Sequence, residues 1–163
     1  MAIVHQPLEV TDFVPNSTSG PPQSVVNGTN FPIRELLYDA TTTMTATAHF
    51  KAINYGSGDV TMTVRWYGAA TTGSVMWVTG IAAVAPGAEN VETAAFGTLV
   101  SVATSVNGTT KYINTTTISI TSPDSIAVNN DAWVTLARSP GNASDDMTGN
   151  AILIGAEISY SDT

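Results

Sequence analysis

Two extended patterns of different kind sit side by side in residues 60–84, and their difference limits what the chain can fold into. In the first, Val60, Met62, Val64 and Trp66 share one face, and Thr61, Thr63, Arg65 and Tyr67 share the other. Period-two alternation of this kind marks a half-buried strand. A small-residue turn, residues 68–73, leads into the second, where Val75, Trp77 and Ile81 alternate with Met76, Val78, Ala82 and Val84. Neither face of that strand is polar, so it needs cover on both sides. One side is the core of its own domain. The other requires a loop, the N-terminal segment, a second layer or another chain.

The rest of the chain repeats the extended theme. Strands are expected over residues 31–38 (starting after Pro32), 43–52, 98–106, 109–120, 132–138 and 151–160. In 43–52 the inward face is Met44, Ala46, Ala48 and Phe50, and the outward face carries threonines, His49 and Lys51. In 132–138 Val134 and Leu136 point inward and Trp133 has the opposite phase. The Asn107, Gly108 pair reads as a two-residue hairpin turn, and residues 89–96 suit either a short helix or a loop. There is no convincing amphipathic helix and no internal repeat. About eight strands at this spacing predict an all-β antiparallel β-sandwich, and long returns favour a jelly roll.

Residues 1–30 differ from the body, residues 31–163. Pro7, Pro15, Pro21 and Pro22 interrupt short apolar pieces, so an extended N-terminal arm is expected. Such an arm is floppy unless its own body or a neighbouring subunit holds it.

Charge narrows the function. The charged fraction is 11%, with five Lys+Arg against thirteen Asp+Glu and a net charge of -8. The cations (Arg34, Lys51, Arg65, Lys111 and Arg138) are scattered singly, which argues against nucleic acid and against an anionic membrane surface as partners. No cysteine is present, so disulfides and thiolate metal sites are excluded. No signal peptide is expected, because a basic region followed by an apolar one is missing at the start. No apolar run approaches the ~18 residues of a membrane span.

No residue set stands out as catalytic, and no cofactor or metal is expected. His5 lies in the arm and His49 on a threonine-rich face, both without a partner that would make a base. Asp145 and Asp146 could offer oxygens to a hard cation, but their spacing does not match a calcium loop, and an acidic loop capping a hairpin is the expectation. The Asn-x-Ser/Thr matches, at Asn16 for one, follow from the abundance of Ser and Thr. Trp66 reads as core. Trp133 and Tyr67 could form a stacking platform for a glycan, and an outward Trp133 equally suits a subunit interface. Trp77, Val78, Ile81 and Trp133 are therefore the interface candidates.

Several segments carry a family resemblance. Phe31-Pro-Ile-Arg-Glu-Leu-Leu-Tyr-Asp39, His49-Phe50, Tyr55-Gly-Ser-Gly-Asp59 and Val64-Arg-Trp-Tyr67 are similar to stretches of a family of tailed-bacteriophage virion proteins. Ser74-Val-Met-Trp77, Ala137-Arg138 and Asp146-Met-Thr-Gly-Asn-Ala-Ile-Leu-Ile-Gly-Ala-Glu-Ile-Ser-Tyr160 extend the likeness over residues 31–160. The resemblance implies a jelly roll that assembles as a homotrimer and no enzyme. It implies a capsid cement or decoration protein on the outer surface of the virion, bound to the major capsid protein, or else a tail or head fibre component. A glycan-binding jelly-roll module using Trp133 and Tyr67 is the rival from a different class.

Overall fold

The computed structural model describes residues 2–163. Within them the chain forms strands β1 (Ile3–Leu8), β2 (Phe13–Pro15), β3 (Gln23–Asn27), β4 (Pro32–Tyr38), β5 (Met44–Lys51) and β6 (Val60–Gly68). It continues with β7 (Ser74–Val84), β8 (Val100–Ser105), β9 (Asn114–Ile120), β10 (Asp131–Arg138) and β11 (Ala151–Ser161), with one 3-10 turn at Val10–Asp12. One sheet runs β3-β4-β11-β6-β9 with β1 also on β11, and the other runs β2-β5-β10-β7-β8. From β4 onward the chain changes sheet at every connection except the one from β7 to β8. This is the antiparallel jelly-roll sandwich that the alternation predicts.

Two turns act differently from their sequence signal. Residues 68–73 and the Asn107, Gly108 pair read as hairpin turns, but each joins strands of opposite sheets. The reason for the first lies in the core. Trp66 and Trp77 are fully buried and meet edge to face across the two layers, 5.8 Å between centroids, and Tyr38, from the same sheet as Trp66, also meets Trp77 edge to face at 5.0 Å. Strands paired in one sheet could not face their side chains at each other in this way. Gly73 makes the corner, with φ +94 and room for a Cβ only 2.7 Å from the Met147 Cα. At the second turn, side chains replace hairpin pairing: the Asn107 amide donates to Asn114 Oδ1 at 2.7 Å and the Thr109 amide to Asn107 Oδ1 at 2.9 Å.

The stretch expected as an arm pairs with its own chain. β1 zips along the last part of β11, from Ile3 opposite Ser161 to Leu8 opposite Ala156. β2 pairs with β5 and β3 with β4. Its prolines fit because Pro7 lies in β1 and Pro15 in β2, each paired on one side only, where a missing N–H need cost no ladder bond, while Pro21 and Pro22 precede β3.

The doubly apolar strand β7 is covered by its own chain as well. Trp77 and Ile81, expected at a subunit interface, are fully buried in the core and cannot meet another chain. Val78 is half-buried on the opposite face. That face lies under residues 85–99: Leu99 Cδ2 stands 2.6 Å from where a Cβ on Gly80 would be, and the Gly97 amide donates to the Ile81 carbonyl.

One charged pair ties the end of the sandwich together. Arg138 and Asp145 have fully buried side chains and meet at 2.7 Å between Nη2 and Oδ1. Arg138 Nε also donates to Asp145 Oδ2 at 3.0 Å, and its remaining N–H groups reach the carbonyls of Tyr38, Met147 and Gly149. Asp145 Oδ2 in turn accepts the Met76 amide, and Asp146 Oδ1 accepts the Ser74 amide. The acidic loop is thus anchored inward, with both carboxylates engaged by the chain itself. Losing one partner of a buried pair strands the other charge, so Asp145→Ala should destabilise the fold by about 3–5 kcal/mol in urea unfolding. Arg138→Met combined with Asp145→Leu should recover most of that loss, because no charge is then left buried.

Candidate ligand-binding cleft

The cleft exists because one strand changes neighbours. β11 pairs with β4 only from Ala151 to Leu153, then passes an irregularity between Leu153 and Gly155 and takes β1 as its partner from Ala156 on. The outer half of β4, with β3, therefore leaves the sheet as a free hairpin. Between this hairpin and the β1 side a fork opens, with Ile154 at its base.

Cavities flank the hairpin on both faces. Val25 and Arg34 share one face and line a cavity of about 740 Å³ in the fork, together with Glu9, Thr11 and Ile154. Val26 and Ile33 share the other face and line a cavity of about 430 Å³ with Tyr67, Lys111, Ile113 and Ile154. Both volumes suit a small ligand. Phe31, at the tip of the hairpin, lines both and is 65% exposed. The tip is closed by the Gly28 amide donating to the Phe31 carbonyl at 3.0 Å. Lys111 and Ile113 arrive on the β8–β9 connection, the segment that crosses sheets instead of turning back.

Beneath the hairpin lies a buried carboxylate. Glu35 is 2% exposed, and its oxygens accept from the Tyr67 hydroxyl and from Ser24 Oγ, the latter at 3.1 Å. Burial, then the bond to Glu35 and its negative charge, pushes the Tyr67 phenol well above the ordinary tyrosine value.

Trp133 and Tyr67, expected to share a platform, lie on the outer faces of different sheets. Trp133 is half-buried on β10. Its ring sits 4.7 Å from that of His49, whose Nε2 lies 3.0 Å from Asp131 Oδ1. The groove beside it, about 210 Å³, is lined by Val91, Ala94 and Phe96 of the segment over β7. His5 pairs with Glu157 at the surface, 2.8 Å apart. Among the described residues no three His, Asp or Glu side chains gather as a metal would require. Sequence reasoning missed Phe31, Lys111 and Ile113. An aromatic residue three positions after Gly28 of the Asn27, Gly28 turn signal was the one available pointer to Phe31.

No protein-family model matches the chain, and no curated protein matches its sequence. Solved structures do match its fold. A family 35 carbohydrate-binding module from Cellvibrio japonicus superposes with a TM-score of 0.57 at 12% identity, over 98% of this chain and 99% of that one. A family 11 module from Clostridium thermocellum, solved with a β-1,3-1,4-mixed-linked tetrasaccharide, gives 0.53 at 9% identity over 97% and 96%. The first family 36 domain of a multidomain xylanase from the hindgut metagenome of Trinervitermes trinervoides gives 0.51 at 13% over 98% and 100%. At such identities the likeness shows the fold.

These neighbours correct the phage reading. The chain is similar over its full length to carbohydrate-binding modules, and neither a virion protein, a capsid cement role, a homotrimer nor a major capsid protein as partner is supported. The physical reason is that the resembling segments hold fold-determining residues: Trp66, Trp77, Arg138 and the run into β11 are core and anchor positions. A shared fold does not carry a shared function.

The Tyr67 bond gives the cleft a pH signature. Its phenol keeps its proton beyond the ordinary value of 10.0, whereas the unfolded chain releases it near there. The stabilisation is thus complete below that pH and is lost as pH rises through and past it. Tyr67→Phe should cost about 1.5–3 kcal/mol at neutral pH. It should also flatten the fall of Tm above about pH 10 in alkaline melting curves.

Proposed function

We propose that the chain is a glycan-binding module that holds a saccharide across Phe31 in the cleft beside Tyr67, without cleaving it. The observation that carries this reading is the placement of Phe31. Its ring stands 65% exposed at the meeting of two cavities, where a folded protein has reason to cover an aromatic side chain. The apolar C–H face of a sugar ring can lie on such a ring, and Ile33 and Ile154 extend the apolar floor. Thr11 on one side and Thr29 and Lys111 on the other offer hydrogen bonds to its hydroxyls. The fold neighbours support the reading, since they are carbohydrate-binding modules and one was solved with an oligosaccharide.

The state of the deepest carboxylate supports binding without cleavage. Glu35 already accepts from Tyr67 and Ser24 and is shut off from solvent, so it has no free oxygen to pass a proton to a glycosidic bond.

A glycan array followed by titration calorimetry tests the proposal. Phe31→Ala should weaken the best ligand by tenfold or more, corresponding to about 1.5–3 kcal/mol of lost apolar contact. The exposed position of Phe31 means the melting temperature should stay put. Trp133→Ala should leave affinity unchanged. Affinity lost in Trp133→Ala but kept in Phe31→Ala would move the site to the other sheet, and silence on the array would overturn the proposal.

A further inference from the structure

The distribution of cations points to the kind of glycan. Thirteen Asp+Glu outnumber five Lys+Arg in this chain, so a cation has many carboxylates to find. Arg138 finds Asp145 in the core. Lys51 sits on the face of β5 that points away from the core. Of the other three, two line the cleft and the third lies beside it. Arg34 lines the fork cavity and Lys111 the cavity on the other face of the hairpin. Arg65 shares a face with Tyr67 on β6, and its Nη2 lies 3.3 Å from the Cβ position of Gly155, next to Ile154. All three are exposed, and among the described residues none forms an ion pair.

Lys111 is held there at some expense. Its φ is +62, the left-handed region, which costs a non-glycine residue about 1 kcal/mol. Strain of this sort collects where a side chain is placed for use. Three carboxylates lie close by, of which Glu157, diagonal to Arg65 across β11 and β6, is taken up by His5. Glu9 is on the rim of the fork cavity, and Glu35 is buried with Tyr67 and Ser24 on its oxygens.

Building on the glycan-binding reading, we propose that the ligand is an acidic saccharide whose carboxylate or sulfate groups are bound by Arg34, Arg65 and Lys111. Guanidinium groups match either anion with paired hydrogen bonds, and the lysine adds a point charge. On a protein of net charge -8, a cleft of unpaired cations is a local positive site that draws anions from an otherwise repelling surface.

Calorimetry on the full chain decides it, with galacturonate hexamer as the carboxylate probe, a carrageenan oligosaccharide as the sulfate probe and cellohexaose as the neutral control. One acidic probe should bind roughly tenfold tighter than cellohexaose and weaken several-fold between about 50 and 500 mM NaCl. Which one binds tells carboxylate from sulfate. The double variant Arg34→Gln with Lys111→Gln should lose about tenfold for that probe while its melting temperature stays unchanged. If cellohexaose binds as well or better, without salt dependence, or if the double variant binds undiminished, the charge inference falls while the glycan-binding reading stands. If none of the three binds, the charge inference falls, and the glycan array decides the wider reading.

Discussion

The closed end of this sandwich depends on the buried pair Arg138 and Asp145. Arg138 ends β10, and Asp145 belongs to the loop that carries the chain over to β11. Around the two charges converge the carbonyls of Tyr38, Met147 and Gly149 and the amide of Met76. Strands of both sheets are thereby fixed to one another at a point where no hydrophobic contact could specify direction so narrowly. A buried ion pair contributes little net stability, but its geometry rejects alternatives in which either charge is left alone. The start of β11 is set there, and with it the place where β11 exchanges β4 for β1. The cleft lies only a few residues downstream of that constraint.

Much of the fold was legible because strand alternation is a local property. The eight strands from β4 to β11 lie where the apolar period falls, and the inward set Val60, Met62, Val64 and Trp66 is fully buried. What alternation cannot tell is which strand neighbours which. Gly68 to Gly73 and the Asn107, Gly108 pair have the composition of hairpin turns, and a corner between two sheets uses the same flexible residues. The difference is decided by Trp66 facing Trp77 across the core, a contact between two strands that the turn alone does not orient.

The cleft was less legible, for a related reason. Phe31, Lys111 and Ile154 are distant in the chain and meet only because β11 is irregular at Gly155 and the β8–β9 connection crosses sheets. Trp133 attracted attention by its phase, and its phase was right, but His49 and residues 91–96 already occupy its surroundings. The phage resemblance failed in function for the same cause that made it recognisable. Its segments are the ones that build a jelly roll, and many unrelated proteins need those.

The pairing of β1 with β11 also bears on how the molecule comes into being. Ile3 lies opposite Ser161 and the Ala2 amide donates to Asp162 Oδ1, so β1 cannot pair until β11 is present. β11 is also the strand on which β4 and β6 rest, which leaves the six-stranded sheet without its middle until β11 is in place. Contacts so far apart along the chain make for slow folding and for a long exposure of unpaired edges. During that interval the prolines of the first strands serve a second purpose. Pro7 in β1 and Pro15 in β2 each remove an amide donor, which makes those edges poorer templates for pairing with another chain.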